Sequence, residues 1–312
     1  MKLLYFNDFR LGVLKGDNVV DVTAVVQNVP HTHPGNLISG VIERWSDLRA
    51  PIERLASSAA AGTGVPVGQV KIRPPLPKPV NVDCMAVNYM EDGTRKEPAP
   101  INAFHKSPGC IVGHGDKILM PDVFMSIFEG EAELAVVIGK RAHDVPASRA
   151  MEHVFGYVNF IDGSAREVTT LGNSFYQMKS RDTFAPIGPY LVTADEIKDP
   201  HKLQVRLWVN GVLKQNYNTD DMANKIPRCI EWISSIHDLE PGDVLATGTN
   251  HRGLSAFQDG DRVELEVDGL GRLVVGVKDE LKRTWARETR LEREVKGLKG
   301  TTPQLTGKYA KL

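Results

Sequence analysis

The chain has 312 residues, 41% hydrophobic and 25% charged, with a formal net charge of −1. These values suit a globular protein with room for one large domain and a smaller one. They give no electrostatic footprint for nucleic acid or an anionic membrane, and no apolar run approaches the roughly 20 residues of a membrane-spanning helix.

Residues 1–25 alternate and turn like small antiparallel strands, with Lys15-Gly-Asp17 as a hairpin turn. The opening apolar patch is interrupted by Asp8 and Arg10, unlike a secretory signal. From Leu37 to Ala61 the apolar residues Leu37, Ile38, Val41, Ile42, Trp45 and Leu48 recur at helical spacing, and Pro51 is expected to split the region into two helices. The stiff segment Pro74-Pro-Leu-Pro-Lys-Pro79 predicts a boundary between a small α+β unit, residues 1–75, and a main domain, residues 76–280.

Within the main domain, strands are predicted over Leu134–Ile138, Tyr190–Val192, Gln204–Val209 and Val263–Val267. Turns are expected at Asn210-Gly211, Gly242-Asp243 and Gly260-Asp261, and a helix over Ile226–Ile236. The fold class is mainly β (α+β), without the strand–helix alternation of a parallel sheet. Residues 281–312 read as a charged tail, a solvated helix over Leu281–Lys299 followed by frayed residues. Cys84, Cys110 and Cys229 are scattered without CxxC spacing, which fits a reducing cytosol and argues against a structural zinc site. A cytoplasmic, soluble protein is expected.

The chemistry concentrates around Glu129, Glu131 and Glu133, which lead into the apolar run Leu134–Ile138. Alternate residues of a strand share a face, so these carboxylates line one side with no Lys or Arg among them. Like charges in a half-buried place repel and raise one another's pKa, which invites a hard divalent cation. A third carboxylate, Asp162, ends the apolar strand Phe155–Ile161. Two Glu and an Asp suit magnesium or manganese better than zinc. The alternative reading, an ordinary run of surface charge, stays open on these residues alone.

A longer series of motifs extends this reading. It runs through Asn88-Tyr89, Pro100, Phe104 with Lys106, Glu131 with Glu133, Gly156-Tyr157, Asp162 and Ser164-Ala-Arg166. It continues with Lys179-Ser-Arg-Asp-Thr-Phe-Ala-Pro-Ile-Gly-Pro189, Asn210-Gly211, Asn218-Thr-Asp-Asp-Met222, Gly242-Asp-Val-Leu-Ala-Thr-Gly-Thr249 and Gly269-Leu-Gly271. In that order the motifs, over residues 80–277, resemble the fumarylacetoacetate hydrolase family. The resemblance implies a mixed β-sandwich roll with a small N-terminal domain, often a homodimer, and Mg²⁺ or Mn²⁺ held by Glu131, Glu133 and Asp162. It implies as substrate a 2-oxo or 2,4-dioxo carboxylic acid of the kind met in aromatic catabolism, chelating the ion through its carboxylate and keto oxygens. Lys179 then becomes a fixed positive charge beside those oxygens. Arg166 pairs with the carboxylates or orients the metal site, Thr249 hydrogen-bonds the substrate carboxylate, and Tyr89, Lys106 and Tyr157 complete the substrate contacts.

The chain also departs from the family. Hydrolytic members follow the Asn-Tyr pair with a His and, a helical turn later, a Glu that activate water; here these positions hold Asp92 and Arg95. Asp is a poor general base near neutral pH unless burial raises its pKa. A family turn containing proline is Gly248-Thr-Asn-His-Arg-Gly253, and a usual Gln is replaced near Thr169. His251, in that turn, is either a relocated base or a solvent-exposed loop histidine, and Glu91 and Asp92 are further candidates on the lid. His31, His33, His143, His201 and His237 read as surface residues. Three functions follow: a metal-dependent C–C hydrolase; a decarboxylase or isomerase on the same substrates, favoured by the missing dyad; and an oxo-acid-binding protein without turnover.

Overall fold

Strands β1 (Lys2–Phe6), β2 (Arg10–Lys15) and β3 (Asn18–Asp21) form the expected antiparallel meander, with Gly16-Asp17 as the two-residue turn. Gly16 sits at φ +59, the left-handed region such a turn requires. This computed structural model describes residues 1–58, 64–168 and 174–310. The expected change near Thr169, and the end of the helical pattern at Ala61, lie outside those residues.

Two helices follow, α1 (Pro34–Glu43) and α2 (Trp45–Ser58). His33 caps α1 by accepting from the backbone N–H groups of Gly35 and Asn36, and Pro34 occupies the first turn, where its missing N–H costs nothing. The break falls at Arg44, not at Pro51, which lies inside α2. Proline is tolerated there because the carbonyl it leaves without a helical donor belongs to Asp47, on the exposed side.

The main sheet continues through β4 (Val82–Met85), β5 (Ala103–His105), β6 (Phe128–Ile138), β7 (Val154–Ala165) and, after the short helix α3 (Phe175–Lys179), β8 (Ala185–Thr193). A hairpin of β9 (Gln204–Val209) and β10 (Val212–Asn218) closes at Asn210-Gly211 as predicted. Helix α4 (Ile226–Ser234) follows, ending slightly before the expected Ile236. Strand β11 (Val244–Ala246) then returns to the main sheet between β6 and β4. Strands β12 (Arg262–Val267) and β13 (Arg272–Lys278) join β9, β10 and the short strand Lys117–Leu119 in a second, five-stranded sheet.

The architecture is mainly β and mixed, with an N-terminal small sheet whose β1 pairs with β8, so that one 12-stranded sheet spans both regions. Strands β9 and β12 alternate, sending Val205, Leu207, Val209, Val263, Leu265 and Val267 into the common core. Each such side chain contributes about 1.5–3 kcal/mol by leaving water. Strands β6 and β7, in contrast, are buried on both faces. No helix among the described residues is long and apolar enough to cross a membrane.

The C-terminal segment differs from the solvated helix expected. It forms β14 (Thr284–Trp285), a six-residue helix α5 (Arg290–Val295) begun by a Thr289–Glu292 capping box, and β15 (Gln304–Thr306). Some of its charges pair internally. Arg283, fully buried, is bonded to Asp279 and to the carbonyls of Pro121 and Val123, and the Trp285 indole donates to the Ser126 carbonyl at 2.7 Å. Dense mixed charge resembles a solvated surface in sequence, but here part of it is paired, Arg283 with Asp279 nearby and Arg290 with Glu129 far along the chain, while residues 294–300 stay exposed.

Candidate metal centre and its surroundings

The acidic residues lie inside β6, which begins at Phe128 rather than at Leu134. Glu131 stands directly opposite Asp162 of β7, and Glu133 follows two residues along on the same face. All three are buried, and one carboxylate oxygen from each falls within 4.8 Å of the others. Gly130 turns its bare side to Phe257, where a Cβ would come within 2.2 Å of the ring, so the strand is pressed against the core at this point.

Cations surround two of the three. Lys179, at the end of α3 and only 3% exposed, places Nζ 2.8 Å from Glu131 and also hydrogen-bonds Asp162. Lys106 Nζ donates to Asp162 at 2.5 Å. Arg166 bridges Glu131, at 2.6 Å, and Glu129, at 2.9 Å. Burial would push the Glu131 carboxyl up, but Lys179 and Arg166 beside it hold it well below its ordinary value. Burial would likewise lower Lys179, but Asp162 and Glu131 raise it.

Glu133 is the exception. It accepts from the Gly248 N–H at 2.7 Å and has no Lys or Arg within ion-pair distance among the described residues. Burial, then the charges of Asp162 and Glu131, push its carboxyl well above its ordinary value. Three converging carboxylate oxygens, one of them without a counter-charge, fit a hard divalent cation, which Glu131, Glu133 and Asp162 would hold.

Glu129 does not share this role. Both Arg166 and Arg290 bind it, so the positive charge expected in front of the acids is, at Glu129, a pair of guanidiniums rather than an ion. Arg290 comes from α5, and nothing local in the sequence announces it. Signals for Lys106, Lys179 and Arg166 were present in their motifs.

The loop after β11 supplies a further group. Gly248, at φ +86, turns its N–H onto Glu133, and three residues later His251 Nδ1 lies 2.6 Å from Glu91 Oε1. The His251 N–H also donates to Glu91, whose side chain is buried. The expectation of a solvent-exposed His251 is therefore corrected: its side chain is 20% exposed and held by a carboxylate. Asn88 ties the two loops together by donating to the carbonyls of Thr247 and Asn224. Glu91, His251, Arg95, Arg252 and Arg290 line a common cavity of about 400 Å³. Arg290 connects this cavity, through Glu129 and Arg166, to Glu131.

Other expected positions fare differently. Asp92 is about half exposed and accepts from Asn250, with Arg252 beyond at 3.7 Å. Thr249 is buried and receives Gln215 Nε2 at 2.8 Å. Tyr89 is buried edge-on against Tyr217, with ring centroids 5.0 Å apart. Tyr157 is not brought to the carboxylates. It lies five residues before Asp162 on β7, roughly 17 Å along the strand, and packs beside Val192. His237 is not a free surface residue either, since it contacts Asp83.

Residues 81–278 match the family described as fumarylacetoacetate (FAA) hydrolase C-terminal. The chain is 33% identical over 277 residues to the mitochondrial oxaloacetate tautomerase FAHD2B of Bos taurus, covering 83% of each. To the maleylpyruvate hydrolase of Aquipseudomonas alcaligenes it is 31% identical over 294 residues, 89% of this chain and 99% of the relative. Among solved structures, maleylpyruvate hydrolase from Sphingobium sp. SYK-6, in complex with manganese(II) and pyruvate, superposes with a TM-score of 0.80 at 34% identity, covering 89% of this chain and 99% of that one.

Proposed function

The chain belongs to the fumarylacetoacetate hydrolase family, and from that membership we propose a divalent-metal-dependent hydrolase that cleaves a C–C bond in an acylpyruvate-like 2,4-dioxo carboxylate. The observation that carries this reading is the pairing of His251 with Glu91 beside the carboxylate centre. The lid positions hold Asp92 and Arg95, yet an acid–base pair is assembled from other positions.

Glu91 accepts a hydrogen bond from Nδ1–H, which leaves His251 Nε2 free to take a proton from water. The resulting hydroxide adds to the distal keto carbon. The adjacent C–C bond then breaks, its electron pair entering the pyruvate enolate, while the acyl half leaves as a carboxylic acid that loses its proton to solvent. His251 returns its proton to the enolate carbon. Glu131, Glu133 and Asp162 would hold a divalent cation, which would supply Lewis-acid stabilisation of the developing enolate charge. Lys179 and Lys106 stand as fixed charges beside the substrate's anionic oxygens, and burial strengthens that attraction. Lys106, Lys179, Arg166 and Arg290 balance Glu129, Glu131, Glu133 and Asp162, so a bound divalent cation leaves the pocket positive and receptive to an anion.

A second reading, tautomerisation or isomerisation of a 2-oxo acid, draws support from the name of the bovine relative. There the same His251–Glu91 pair would move a proton between carbon and oxygen without water. Acetylpyruvate, oxaloacetate and a 2-hydroxydienoate assayed side by side, with Mg²⁺ and with Mn²⁺, separate the two by product. Acetate and pyruvate from acetylpyruvate are expected. Proton exchange without cleavage would transfer the assignment to the second reading.

A further inference from the structure

Asp83 on β4 and His105 on β5 face one another across the ladder, and His237 approaches them from the segment after α4. His105 Nδ1 and His237 Nε2 each lie 3.2 Å from Asp83 Oδ1, and the three ligand atoms fall within 4.8 Å of one another. Asp83 is only 3% exposed, and its second oxygen, Oδ2, is buried without a hydrogen-bond partner. Such an orphaned carboxylate oxygen is costly and calls for an explanation.

The tautomer of His237 sharpens the point. Its Nδ1 lies 2.8 Å from the Asp238 carbonyl oxygen, which only accepts, so Nδ1 carries the proton. Burial would lower His237, but the Asp238 carbonyl and Asp83 raise it, so an ion at Nε2 must displace the proton that otherwise bonds Asp83. Anchoring the far ring nitrogen to a backbone carbonyl is how metal-ligating histidines are oriented. The spacing also fits. Zinc bonds of roughly 2.0–2.1 Å in a tetrahedron put neighbouring ligand atoms about 3.3 Å apart. A cavity of about 200 Å³ lined by Asp83, His105, Trp232, Ile236 and His237 leaves room for a water as fourth ligand.

We propose that Asp83, His105 and His237 form a second metal site, selective for a zinc-class cation and separate from the carboxylate centre. Two imidazoles and one carboxylate suit such an ion, whereas three carboxylates suit magnesium or manganese. The site has a structural purpose in this fold. Strand β5 is a three-residue edge strand, and His105 is flanked by residues that face the other way: Lys106 donates to Asp162, and the Phe104 ring lies 4.8 Å from Lys179 Nζ. An ion joining His105 to β4 and to the segment after α4 would pin the strand that carries both.

The test is zinc binding to the intact protein with excess Mg²⁺ occupying the carboxylate centre. Wild type is compared with His105→Ala, His237→Gln and, as a control, the exposed His31→Ala, whose ring bonds only the Val29 carbonyl among the contacts described. Wild type and the control are expected to hold one zinc ion per chain. The two site variants should bind it at least tenfold more weakly while retaining the wild-type circular dichroism. Anomalous diffraction at the zinc edge should place the ion between Asp83, His105 and His237, and cobalt(II) should give the strong visible absorption of a four-coordinate ion. A peak elsewhere, or equal zinc retention by all four proteins, would overturn the proposal, as would an imidazolium at His237 that excludes the ion at neutral pH. Because Glu131, Glu133 and Asp162 stay intact throughout, the outcome is independent of the hydrolase reading.

Discussion

Glu131 and Asp162 sit directly opposite one another on β6 and β7, both buried, and share the ammonium of Lys179. Glu133, two residues along, has no such partner. This asymmetry sets apart what each substitution should do.

Asp162→Asn should reduce turnover by at least about a thousandfold and destabilise the protein by about 3–5 kcal/mol, because Lys106 loses its carboxylate partner and Lys179 one of two. Steady-state kinetics and urea unfolding measure the two effects. Unchanged turnover would remove the carboxylate centre from the mechanism.

Glu133→Gln should separate stability from function. Without metal, the variant should unfold no more readily than wild type, since it loses a repulsion and no ion pair. With Mg²⁺ or Mn²⁺ at a hundred times the wild-type Kd, wild type should gain about 2.7 kcal/mol and the variant almost nothing. Thermal melts with and without the ions decide this.

The raised Glu133 carboxyl gives a pH dependence of definite sign. Above its ordinary value of 4.5 the folded, metal-free protein holds a proton that the unfolded chain has released. Metal-free stability therefore falls as pH rises from 4.5 toward the raised value, and metal binding releases a proton and tightens with pH. Glu131 runs the other way: its lowered carboxyl contributes stability above 4.5 that is lost on acidification. Calorimetry in buffers of different ionisation enthalpy counts the released proton, and its persistence in Glu133→Gln would contradict the assignment.

His251→Ala and Glu91→Gln should each lower hydrolysis by about 10²–10⁴ while leaving metal binding intact. Added imidazole should partly restore His251→Ala and not Glu91→Gln. Wild-type rates in both variants would place the base elsewhere.

Arg290→Met should cost about 1–2 kcal/mol, less than a fully buried pair, because Arg290 is partly exposed and Arg166 still holds Glu129. KM should rise for an anionic substrate, since the cavity loses a positive charge. Equal KM in variant and wild type would detach the cavity from substrate binding.

The metal-ligand candidates were legible because a period of two in an apolar strand, with a further Asp at a strand end, is a local pattern. Lys106, Lys179 and Arg166 came with the motif resemblance. Arg290 and the Glu91–His251 contact were illegible, since each depends on a pairing about 160 positions apart. The same cause misled part of the reading of the C-terminal segment, where Arg290 and Lys308 look solvated in sequence yet pair with Glu129 and Asp122. Tyr157 failed for a geometric reason, as motif order does not record distance along a strand. Pro51 failed because the helix carries it despite the usual cost, at a position where the carbonyl left without a donor belongs to the exposed Asp47.

Arg290 has a temporal consequence. A nascent chain can pair β6 with β7 as soon as both have left the ribosome, yet Glu129 then shares Arg166 with Glu131 and lacks its other guanidinium. The electrostatic frame of the pocket is thus completed only after residue 290 has been synthesised, so truncation upstream of α5 would disturb the carboxylate cluster from a distance.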